Sequence, residues 1–146
     1  MFNIEMLPAN EGDALWIEYG PDDGPVHRVL IDCGRKKAYR EVRARLDAAA
    51  AQGKELDFDL FVLTHVDADH IEGAVPLLGD SRFKPDRVAD LWFNEWRHLN
   101  GERVPPSDAL GARQGEYFAG LIRERGLSWN AEFDHFPVVV PATGRL

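Results

Sequence analysis

The chain has 146 residues, 45% hydrophobic and 29% charged, which is enough apolar material for one domain core and too much for a disordered segment. Its 17 basic and 25 acidic side chains leave a net charge of −8, which excludes a broad cationic surface for non-specific nucleic-acid binding. It leaves room for a nuclease whose positive charge is a bound metal ion.

The N-terminal stretch MFNIEMLPANEGD has neither the basic start nor the apolar run of a secretory signal. Residues 2–7 and 13–19 alternate apolar and polar side chains and read as strands around a turn-rich PANEG segment. Residues 26–32 form a third strand, leaving through Cys33-Gly34. Three sequential strands with short connections predict an antiparallel meander. Cys33 is the one cysteine, so no intrachain disulfide exists. Residues 38–51 carry a helical stripe of Val42, Leu46 and Ala49 or Ala50, and Gly53 closes it. The nearly continuous apolar run 58–64 predicts a strand covered on both faces.

A short helix over 70–78 stopped by Gly79, a buried strand over 87–93, an irregular loop over 94–106 and a helix over 108–125 follow. Ser107 caps that helix and Gly126 ends it. A last strand is expected at 136–140. The fold class is α/β, layered, with a mixed or antiparallel sheet and flanking helices. No apolar run approaches a membrane span, so the expectation is a cytoplasmic protein without a membrane partner.

The informative segment is His65-Val66-Asp67-Ala68-Asp69-His70, four potential metal ligands just after a buried strand. Strand ends open at the rim of a sheet, where α/β proteins bind ligands. Two imidazoles and two carboxylates suit one or two divalent ions, Zn or Mn, with Mg or Fe possible. The same string also suits a solvated acidic turn capping the next helix. A calcium EF-hand loop from Asp67 fails, because Glu72 stands where that loop needs glycine.

At these residues the chain resembles a known family. THVDADHIEG (64–73) is similar to the HxHxDH signature of the metallo-β-lactamase superfamily, and the Asp in its middle resembles the ComEC-like branch. EGDAL (11–15) resembles that branch's GDA strand opening, and VLIDCG (29–34) its LIDxG strand end. The resemblance implies the first half of an αββα sandwich, residues 1–146 being an N-terminal half whose second half is absent. It implies His65 on a first metal, with Asp67 in place of a second histidine, and Asp69 and His70 on a second metal. Asp69 would also orient the water in a hydrolysis by metal-bound hydroxide. Asp13 and Asp32 would be acceptors that fix histidine tautomers, though Asp32 equally suits an ordinary strand-end turn.

Nothing in the chain resembles the later half's motifs, and His135 reads as structural rather than as a missing ligand. The expected partner is a second polypeptide or a second copy that completes the sandwich. The expected substrate is a phosphodiester, with an ester, thioester or lactone as the alternative, or a non-catalytic half-domain acting in assembly or regulation. In the loop after residue 93, Trp96 and His98 are candidates for substrate contact, while Trp92 and Phe93 read as core.

Overall fold

The computed structural model describes residues 1–51, 56–95, 98 and 109–139. Five strands form one sheet in chain order: β1 (Phe2–Met6), β2 (Leu15–Tyr19), β3 (His27–Ile31), β4 (Phe58–Val62) and β5 (Val88–Trp92). The first three are an antiparallel meander in which Ile4 faces Ile17 and Ile17 faces Val29. β3–β4 and β4–β5 are parallel. Parallel neighbours need a crossover, and here helices supply both. α1 (Tyr39–Ala50) joins β3 to β4; α2 (Ala68–Ile71) and α3 (Ala74–Gly79) join β4 to β5. α4 (Ala109–Arg125) then packs against α2 and α3.

The helices share one core with one side of the sheet. Trp16, Leu30, Phe61 and Leu91 point into it, and Val42, Leu46, Leu77, Phe118 and Ile122 meet them, all essentially sealed from water. Edge-on aromatic contacts run through it, Trp16 to Phe58 at 5.3 Å, Phe61 to Phe83 at 5.6 Å and Phe93 to Phe118 at 5.3 Å between ring centres. Such pairs add about 0.5–1.5 kcal/mol each beyond their burial. The helical layer is also tied polarly. Asp80, at the end of α3, accepts from Tyr39 Oη and from Arg82 Nε (2.7 Å), and Arg82 reaches Asp47 on α1. The Arg82 guanidinium holds the Asp80 carboxyl well below the usual carboxylate range.

The other side of the sheet has no such layer among the described residues. Phe2, Ile4 and Met6 are 72%, 54% and 76% exposed, and the apolar row continues through half-buried Ile17, Val29 and Leu60.

Two expected elements differ. The helix over 70–78 is two short helices that begin at Ala68 and break at Glu72-Gly73, and Gly79 is the last helical residue rather than a stop before it. The break lets Gly73 sit against the Cys33 carbonyl, where a Cβ would lie 2.0 Å from the oxygen. No strand forms over 136–139. The neighbouring positions along β5 are taken by Ser128 and Asn130, whose backbones bond Leu91. Asn130, Asp134 and His135 all have positive φ and turn the chain away. Val138 is held by the Asn94 side chain instead of by a ladder (2.8 and 2.9 Å). The expected caps at Ser107 and Gly53 lie outside the described residues.

Candidate metal centre

Three loops meet at one end of the sheet: the β1–β2 loop with Asp13, the exit of β3 with Asp32, and the segment from β4 into α2 with His65 to His70. Parallel β3 and β4 end side by side, and antiparallel β2 begins at that same end, so the topology alone brings the loops together. Backbone hydrogen bonds then lock them. Gly34 N–H donates to the Asp13 carbonyl (2.9 Å), Cys33 N–H to that of His70 (3.3 Å), and Gly73 N–H to that of Gly34 (2.9 Å). Gly12, with φ of +71°, lies so close that a Cβ there would be 2.0 Å from the Asp69 carbonyl oxygen. Only glycine satisfies both the left-handed backbone and that approach.

Asp32 is the hub. It is 1% exposed and has φ of +55°, a conformation that costs a non-glycine residue free energy and that clusters at functional sites. Its Oδ1 accepts from Thr64 N–H (2.9 Å), and its Oδ2 accepts from Thr64 Oγ1 (2.6 Å) and stands 2.8 Å from His70 Nδ1. A carboxylate only accepts, so Nδ1 carries the hydrogen and the lone pair of buried His70 is on Nε2. That Nε2 faces Asp69 Oδ2 at 3.7 Å, too far for a hydrogen bond. The His65 ring lies 3.7 Å from the His70 ring, centre to centre, and its Nδ1 is 3.8 Å from Asp67 Oδ2. Asp13 completes the group: one ligand atom from each of Asp13, Asp32 and His70 fits within a 4.8 Å span.

These residues fit a divalent cation. Two ligands about 2.1 Å from a tetrahedral ion lie about 3.4 Å apart, close to the separation of His70 Nε2 and Asp69 Oδ2. An imidazole oriented by a carboxylate on its far nitrogen is the usual arrangement of a metal-bound histidine. Asp67, at the start of α2, makes no side-chain bond to the helix amides, so capping does not account for it. Asp32 spends both oxygens on Thr64 and His70, which makes it the orienting acceptor. Asp13 is exposed and not bonded in this way. Cys33, fully buried beside Asp32, has its thiol pushed up by burial first and by that carboxylate second, and stays a neutral core group.

One ligand atom from each of Asp13, Asp32 and His70 lies within a 4.8 Å span, Asp69 and the His65 ring lie beside His70, and Asp67, largely exposed, stands 3.8 Å from His65. His98 is held elsewhere: its Nδ1 accepts from Glu95 N–H (3.1 Å) and its ring packs edge-on to Trp129 at 5.2 Å. Trp96 lies outside the described residues. His135 Nδ1 bonds the Trp129 carbonyl within its own turn (2.8 Å). Sequence reasoning missed Thr64, which stands directly before His65 and satisfies Asp32 twice. It also missed Gly115 on α4, whose absent side chain makes room for Val66 (2.9 Å to a built Cβ).

No family model and no curated protein matches this chain. Among solved structures it is similar to one from Thermotoga maritima described as a "putative metallo-beta-lactamase", at 16% identity and a TM-score of 0.47, over 87% of this chain. The chain spans 57% of that structure's length.

Proposed function

We propose that this chain is the metal-carrying N-terminal half of a metallo-β-lactamase-like, ComEC-like hydrolase that cleaves phosphodiesters in the cytoplasm. The observation that carries the reading is the Asp32–His70 pair: a buried carboxylate fixes Nδ1, and Nε2 is left facing Asp69 beside the His65 ring. His65, Asp67, Asp69 and His70 would hold the cation. The cation, manganese or zinc, would lower the pKa of coordinated water and offset the negative charge on the phosphoryl oxygens.

The protein's own share is positional. Asp32 and Thr64 keep the His70 ring in one tautomer and one orientation, and Asp69 would accept a hydrogen bond from the attacking water. The open apolar side of the sheet supports the rest of the reading. Phe2, Ile4 and Met6 form a patch that soluble monomers rarely leave bare, so a second polypeptide or second copy covers it and completes the site.

Elemental analysis and calorimetric titration of the chain with Mn²⁺ and Zn²⁺ test the site. About one ion or more per chain is expected, with affinity falling about 10–100-fold in Asp32→Asn and more in His70→Ala. Metal-dependent cleavage of bis(p-nitrophenyl) phosphate, lost in Asp69→Ala, is the catalytic readout, taken with the completing partner present. A chain that takes up no metal at neutral pH overturns the reading.

A further inference from the structure

The same three loops that carry the metal cluster also build a groove beside it. Glu11 precedes Asp13 by two residues, Arg35 to Lys37 follow Asp32, and Glu72 follows His70 by two. Together these line a cavity of about 540 Å³. Arg35 is fastened in it. Its Nε donates to Glu11 (2.7 Å), its Nη1 lies 3.9 Å from Glu72, and it is close enough to Asp69 for that carboxylate to favour its charge. Glu72 also accepts from the Lys36 backbone N–H (3.4 Å). Lys36 and Lys37, the next two residues, are exposed and have no ion-pair partner among the described residues.

A protein with eight more acidic than basic side chains has carboxylates to spare, yet neither of these two ammonium groups has a carboxylate within ion-pair distance among the described residues. Arg35 serves as a fixed post, since its charge is already met by Glu11 and Glu72. The lysines are compact, mobile point charges suited to a phosphate rather than to a planar carboxylate fork.

We propose that this groove is an anion subsite in which Lys36 and Lys37 hold a phosphate of the substrate next to the one attacked. The inference rests on the phosphodiester reading and deepens it: the substrate carries at least two phosphates, a strand or a nucleotide with a terminal phosphate. The local field, rather than the overall charge, then decides which anions enter.

The test uses the full chain in EDTA, so that it does not depend on metal uptake. Binding of a fluorescent oligo-deoxythymidylate is measured between about 50 and 200 mM salt. Each lysine lost from a single-strand contact lowers the slope of log affinity against log salt by about 0.7, so the double variant Lys36→Ala, Lys37→Ala is expected to lose about 1.4. Lys84→Ala, an exposed lysine just before β5 at the opposite end of the sheet, is expected to leave the slope unchanged. Thymidine 5′-monophosphate as competitor separates the sources. Weak competition indicates a strand, whereas competition equal to the oligonucleotide's indicates a small nucleotide. Equal slopes for all three proteins overturn the subsite, as does a wild-type chain that binds neither probe at low salt. A failed metal titration with an intact lysine-dependent slope would overturn the hydrolase reading alone.

Discussion

The two sides of the sheet are built from the same five strands and have opposite fates. On one side Trp16, Leu30, Phe61 and Leu91 disappear under the helical layer; on the other Phe2, Ile4 and Met6 stay more than half exposed. Alternation makes both sides apolar in these strands, since residues two apart share a face. The stability of the isolated chain therefore sits in one half of its apolar strand residues. The other half carries a latent association energy, realised only when something covers it.

Four measurements sharpen that contrast. Phe61→Ala, in the middle of the covered side, removes a ring packed against Phe83 and Phe118. It is expected to cost about 3–5 kcal/mol, a Tm drop of about 10–20 °C by calorimetry. A loss below about 1 kcal/mol would mean that the helical layer is not the core. Gly73→Ala drives a Cβ into the Cys33 carbonyl and should cost about 1–3 kcal/mol by urea unfolding, with weakened metal uptake, because the loop that must yield carries His70.

Acid titration probes the polar tie of the same layer. Asp80 has a folded pKa below its unfolded one, so its stabilisation is complete above about pH 5 and fades as pH falls through the range beneath. The stability gap between wild type and Asp80→Asn should narrow steadily on acidification from pH 5; a gap that is constant with pH contradicts the pairing with Arg82. The smallest effect is expected on the bare side. Ile4→Ser should change the monomer's unfolding free energy by no more than about 0.5 kcal/mol while reducing concentration-dependent association in sedimentation. A cost as large as that of Phe61→Ala would show that a layer already covers this face.

The strands and helices were legible because periodicity is a local property. The alternation in FNIEM and LWIEY and the stripe of Val42, Leu46 and Ala49 each report one face without reference to the rest of the chain. Val138 and Val139 carry the same kind of signal and mislead, because a strand also needs a free neighbour. Whether β5 has one depends on Ser128 and Asn130, and on a left-handed turn at Asn130 that no local pattern announces. The string His65 to His70 could be singled out as a candidate from spacing alone, whereas the triad of Asp13, Asp32 and His70 needs three separate loops. The position of Asp32 against His70 could be suggested by motif resemblance, but the pair of hydrogen bonds from Thr64 could not. That pair exists only because β3 and β4 end side by side, across 32 residues of sequence. Gly12 and Gly73 were visible as letters, and their purpose appears only when the opposing carbonyls are in place.

Those two glycines set a gauge. With nothing between Gly12 and the Asp69 carbonyl, or between Gly73 and that of Cys33, loop spacing is decided by main-chain van der Waals radii, the least adjustable dimension a protein has. The neighbouring side chains can be exchanged, and the aperture they decorate keeps its width. A site framed in this way can be re-tuned from one metal or substrate to another by changing its lining, with no need to rebuild the frame.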